Sequence, residues 1–199
     1  MNGDHMNGDH MNGDQMMDAS RKIGPQEITT VVRTATHEVF STMLSMALED
    51  LPEFQQASAH PPESYDGVEA LVGIGGSWTG TGRICCTSAF ARTMAGALLM
   101  VECDSLNEDV LDAISEVANM VIGNVKTNFE ERLGPLGLSI PTVVFGRNYQ
   151  TRSAGVTEWT VVPFKSGEEI MYIRFYIMPS RHAASSTQVP VAQKELQPA

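Results

Sequence analysis

A chain of 199 residues, 42% hydrophobic and 19% charged, can build one sizeable globular domain plus tails, whereas two large domains would be crowded. Its formal net charge of −11 argues against nucleic acid or an anionic membrane as the main partner, because both attract a basic surface. No run approaches the roughly 18 apolar residues that a membrane span needs, and the start of the chain has no apolar segment of signal-peptide type, so a cytoplasmic protein is expected.

The chain opens on a repeat, MNGDH, MNGDH, MNGDQ, without apolar periodicity. Residues 1–24 are therefore expected to be a disordered tail. His5 and His10, with Asp4, Asp9 and Asp14, form a flexible array that reads as a tail or a cloning remnant rather than a metal site. Pro25 then stands just inside a helix start. Over 27–48 the apolar residues Ile28, Val31, Val32, Ala35, Val39, Phe40, Met43, Leu44 and Ala47 recur at helical spacing, which predicts a first helix. His37 within it has no second His four residues away, so it reads as a solvated or locally bonded side chain rather than a zinc ligand. Pro52 closes the helical region, and 55–66, with Pro61 and Pro62, reads as a loop.

From Gly67 the period becomes that of strands, with Val68, Ala70, Val72 and Ile74 alternating and a second extended run over 78–87. Gly73, Gly75, Gly76, Gly80 and Gly82 are expected to mark turns or bulges of this pair. They match neither a P-loop nor a dinucleotide fingerprint, and more strand follows them instead of a helix start, so no nucleotide site is expected. Cys85 and Cys86 lie in the second run. With Cys103 they form no C-x-x-C pair and read as small buried apolar side chains. Ser88 is the expected cap of a short helix through Leu99.

Asn107 is positioned to cap the longest helical pattern, EDVLDAISEVANMVIGNVKTNFEERL, which Gly134, Pro135 and Gly137 end. At 100° per residue Val110, Ile114, Val117, Ala118, Val121 and Val125 share one sector. Asp112, Glu116, Asn119 and Gly123 fall on the opposite side as one ridge. An interior Asn and an interior Gly are poorer helix formers than the residues that would serve on a merely solvated face, and that cost suggests a use. Strand-like runs follow at 138–145, 156–164 and 170–178, the last two joined by a hairpin signal, and residues 180–199 read as a second disordered tail. The predicted fold is α+β, a two-layer arrangement in which a largely antiparallel sheet carries helices on one face, over residues 25–179.

Asp112, Glu116 and Asn119, set in DAISEVANMVIGNVK and followed by GLSIPTVVFG, resemble the pattern of the CheC/CheX/FliY family of chemotaxis phosphatases. That pattern is an Asp or Ser followed by E-x-x-N on an exposed helix. The resemblance runs over roughly residues 28–178 and fits CheX-like members best. Members of the CheC type carry a second E-x-x-N; here the matching place holds Glu38 and Ser41, which implies one site per subunit.

The resemblance implies hydrolysis of the aspartyl phosphate on a CheY-like receiver domain. Asn119 would orient the attacking water and Glu116 would pair with the receiver's active-site Lys. Asp112 and Gly123 would be further partner contacts. No metal or cofactor of its own is implied, since Mg2+ would come with the receiver. A homodimer paired through sheet edges is also implied, and the final strand run, free of Pro until Pro179, is the expected edge. The competing expectation is a non-catalytic module that docks or sequesters a receiver or another signalling protein.

Overall fold

The computed structural model describes residues 23–57, 65–149 and 158–180. The MNGDH repeat with its His and Asp array, most of the predicted 55–66 loop, the first residues of the 156–164 run and nearly all of the C-terminal tail lie outside the described residues. Within them the order is α1 (Pro25–Met43), β1 (Glu49–Asp50), β2 (Phe54–Ala57), β3 (Tyr65–Gly76), β4 (Trp78–Cys86), α2 (Ser88–Leu99), α3 (Glu108–Leu133), β5 (Leu136–Leu138), β6 (Thr142–Tyr149), β7 (Glu158–Ser166) and β8 (Glu169–Pro179). The eight strands form one open antiparallel sheet in the order β1-β7-β8-β4-β3-β5, with β2 also on β7 and β6 also on β3.

Strand alternation divides this sheet into two chemically different faces. Val68, Ala70, Val72 and Ile74 of β3, Ile84 and Cys86 of β4, Val162 and Phe164 of β7, and Met171, Ile173 and Phe175 of β8 join the helices in one hydrophobic core. Each such side chain, fully buried, contributes roughly 1.5–3 kcal/mol. The alternate residues face the other way. There Glu69 and Arg83, only 2% and 6% exposed, form an ion pair with Nη1 to Oε1 at 2.7 Å. The Arg83 guanidinium lies 4.6 Å from the centre of the Trp159 ring, which in turn meets Tyr176 edge-on.

Several expectations change on this frame. The first helix stops at Met43, five residues before the predicted end, because Ser45 takes φ 54 and Met46 N–H donates to Phe40 O. Leu44 is nonetheless buried and Met46 and Leu48 pack on the core, which is why the apolar pattern outlasts the helix. The start of the predicted 55–66 loop is strand: β2 pairs with β7, but its side chains are mostly exposed and left no alternation to read. Gly80 and Gly82 mark no turn. They sit inside β4, where a Cβ at Gly80 would lie 2.4 Å from Tyr176 O and one at Gly82 2.2 Å from Ile122 Cδ1. They are glycine because the chain crosses too closely for a side chain. The predicted 138–145 strand is broken between β5 and β6. Finally, β8 is no edge: it is hydrogen-bonded to β4 on one side and β7 on the other. The topological basis for pairing two copies through it is therefore gone.

Candidate functional site

Helix α3 begins where the sequence placed its cap, with Val110 N–H donating to Asn107 Oδ1 at 3.0 Å and Glu108 and Asp109 in the first turn. Such a cap is worth about 1 kcal/mol. The cap of α2 is Thr87 rather than Ser88: its hydroxyl accepts from Phe90 N–H at 3.0 Å, and Ser88 is the first helical residue. The predicted stripe of Val110, Ile114, Val117, Ala118, Val121 and Val125 is wholly buried, extended by Ile122 and Phe129. Ala95 and Leu98 of α2 hold the first turns of α3 through Val110 and Ala113.

The other end is clamped to β5. Lys126 Nζ lies 2.7 Å from Glu130 Oε2 and donates to Leu136 O at 3.3 Å, and Leu136 N–H donates to Glu130 Oε1 at 2.7 Å. The Lys126 ammonium, then the Leu136 amide, hold the Glu130 carboxyl below its ordinary range. Between these anchors, Ile122 seats in the space that Gly82 leaves open. The helix is thus fixed at its start, its middle and its end.

Its outer face carries the ridge as predicted. Asp112 and Glu116 are exposed, and Asn119 and Gly123 half-buried. At about 1.5 Å rise per residue, Glu116 and Asn119 stand about 4.5 Å apart along the axis. Side-chain partners on α3 are concentrated in its second half. Asn124 donates to Glu38, Thr127 to Gly123 O and Asn128 to Asn124 O, and Arg132 pairs with Glu27. Asp112, Glu116 and Asn119, like Glu108, Asp109, Ser115 and Glu131, have no side-chain hydrogen bond or ion pair among the described residues and are open to a partner. An outward carboxylate beside an amide that can both accept and donate is equipped to meet a cation and to hold a water or an anionic oxygen.

Gly123 can be tested on the chain alone. A Cβ there would meet only Leu138 Cδ1, at an ordinary 3.8 Å. Packing within the chain therefore does not require glycine. Gly123→Ala is expected to stabilise the fold by about 0.5–1 kcal/mol, read by urea denaturation, since it removes the helix cost of glycine. A loss of stability would restore the packing explanation.

Other candidate groups are engaged or inert. At the place of a second E-x-x-N, Ser41 Oγ donates back to His37 O at 2.7 Å, and Glu38 accepts from Asn124. His37 Nε2 is 2.8 Å from Asp50 Oδ1, and Asp50 also pairs with Arg33, so this His ties α1 to β1. Burial pushes the Cys85 thiol up to about 12 and that of Cys86 in the same direction, so neither is a nucleophile near neutral pH. Among the described residues no cluster of His, Cys, Asp or Glu is suited to a metal, and no helix is long and apolar enough to cross a membrane. A cavity lined by Ile28, Trp78, Phe175 and Ile177 shares no residue with the ridge.

Residues 68–165 match the family described as Chemotaxis phosphatase CheX. None of the curated proteins matches. Among solved structures, the chain is similar to the chemotaxis protein CheX from Desulfovibrio desulfuricans, at 24% identity and a TM-score of 0.68, over 76% of this chain and 99% of that one. It is also similar to CheX from Vibrio vulnificus, at 23% identity and a TM-score of 0.64, over 78% and 99%. A third similar chain comes from the CheX-CheY-BeF3-Mg2+ complex of Borrelia burgdorferi, at 22% identity and a TM-score of 0.63, over 79% and 99%.

Proposed function

We propose, since this chain is a CheX-like member of the chemotaxis phosphatase family, that it hydrolyses the aspartyl phosphate of a CheY-like receiver domain in chemotaxis or a related two-component pathway. The observation that carries this reading is the ridge itself: Asp112, Glu116 and Asn119 stand together on the outer face of a helix fixed at both ends, and none of the three has a side-chain partner among the described residues.

In the reaction, water attacks the phosphorus, the bond from phosphorus to the receiver's aspartyl oxygen breaks, and inorganic phosphate leaves a free carboxylate behind. A loose phosphoryl transition state asks for a placed water and charge stabilisation more than for a strong base. Asn119 meets that need: its amide oxygen accepts from the water and its amide nitrogen donates to a phosphoryl oxygen. Glu116, one turn earlier on the ridge, pairs with the receiver's active-site Lys and sets the register of docking. Asp112 and Gly123 extend the contact, the glycine by letting the partner backbone come close. Mg2+ belongs to the receiver.

The test is the lifetime of the phosphorylated receiver with and without this protein. The reading requires shortening, and an unchanged lifetime with tight binding would replace it by sequestration. Glu116→Arg sets like charge against the receiver's Lys. It is expected to weaken binding of a receiver carrying Mg2+ and beryllofluoride by at least about tenfold in calorimetric titration, because like charges in contact cost several kcal/mol. An unchanged affinity would remove Glu116 from the docking face. A homodimer remains part of the proposal, but its strand must be another than β8. Strand β6 has no described strand on its outer edge and exposes Phe145.

A further inference from the structure

The break between β5 and β6 is a β-bulge beside the ridge. Ile74 pairs with Leu138 and Leu71 with Thr142, so Ser139, Ile140 and Pro141 stand where β3 has only Val72 and Gly73. Bulges of this kind re-aim a side chain and recur next to functional sites. The side chain released here is Ile140, 89% exposed.

The surroundings hold it there. Ser139 N–H donates to Gly73 O at 2.9 Å and Gly73 N–H donates to Ser139 Oγ at 2.8 Å. Ser139 Oγ also donates to Ile140 O at 3.0 Å, and Pro141 follows. Leu138, two residues before Ile140, is the side chain nearest Gly123 of the ridge, and β5 is clamped to α3 through Leu136. A large β-branched apolar group is thus held in water on a rigid support, next to a helix face whose polar groups are unpaired.

We propose that Ile140 is a docking contact for the receiver domain, an apolar anchor on the flank of the ridge that sets affinity without taking part in phosphoryl transfer. The inference rests on the phosphatase reading above and names the part of the partner interface that lies off α3. The occupant is the receiver because the bulge is continuous with the ridge: whatever comes close enough to Gly123 to use its missing side chain comes upon Leu138 and its bulge as well.

The experiment measures binding of a CheY-like receiver loaded with Mg2+ and beryllofluoride, together with kcat and KM for loss of the phosphate. Ile140→Ser is expected to weaken binding and raise KM by about tenfold, the effect of removing one buried aliphatic side chain, with kcat within about twofold. Ile140→Val should restore affinity to within about threefold. Phe54→Ser, an exposed apolar residue on β2 at the opposite edge of the sheet, should change neither value. Unchanged binding in Ile140→Ser while the wild type binds and turns over overturns this proposal alone. A smaller mass by light scattering in that variant, with affinity unchanged, assigns Ile140 to contact between copies and overturns it equally. Failure of the wild type to bind or hydrolyse overturns the phosphatase reading and this proposal with it.

Discussion

Asn119→Ala is expected to lower receiver-stimulated phosphate release by about a hundredfold or more while leaving the fold intact. The magnitude follows from what the amide is asked to do. Losing one preorganised hydrogen-bonding group at a developing charge costs about 10²–10³ in rate, and the placement of the water is lost at the same time. The stability arm works in the opposite direction. Asn119 has no side-chain partner among the described residues, and alanine is the better helix former by several tenths of a kcal/mol. The variant should therefore melt at the same temperature as the parent or slightly above it. It should also bind the beryllofluoride-loaded receiver as before, since the docking contact proposed above is Glu116 rather than Asn119. Turnover at the parental rate would remove Asn119 from the chemistry.

The second large effect concerns stability, on the side of the sheet away from the helices. Glu69→Ala is expected to cost about 3–5 kcal/mol, because it leaves the buried Arg83 without its carboxylate. The register makes this worse. Arg83 pairs directly with Arg174 across β4 and β8, and like charges in that position repel. Glu69, on the neighbouring strand β3, sets a negative charge beside them. Domains of this kind are stable by about 5–15 kcal/mol in total, so the loss should lower the urea midpoint sharply and the melting temperature by on the order of 10 °C. Glu69→Gln, which keeps the shape and a hydrogen bond, should lose less. A drop below about 1 kcal/mol for the alanine variant would mean that the pair is cheaply replaced.

How far the sequence could be read depended on whether a feature is local. The ridge was legible because 3.6-residue periodicity places Asp112, Glu116 and Asn119 opposite Val117 and Val121 whatever else the chain does. Alternation in the last strand separated Met171, Ile173 and Phe175 from Tyr172, Arg174 and Tyr176, and the structure buries the first three in the helix-side core. Alternation does not name neighbours, however, so the same strand was expected at an edge and lies inside the sheet. Gly80 and Gly82 have the composition of turns. The reason for them, Tyr176 and Ile122, is some 40 to 96 positions away along the chain and invisible to a local reading. Strand β2 is mostly exposed and pairs with β7 through its backbone and one Thr160–Gln55 side-chain bond, and the bulge at Ser139 to Pro141 depends on register against β3. Neither leaves a pattern of side chains.

The place of β8 also has a consequence for synthesis. Strand β4 leaves the ribosome well before β8, its partner across residues 78–85, so that edge of β4 waits until residues 172–179 have also been translated. During that interval an unpaired strand edge is open to pairing with other nascent chains, the situation in which misassembly competes with folding. Slow release of full-length chain, or truncation before Glu169, should therefore favour capture by chaperones over accumulation of a soluble fragment.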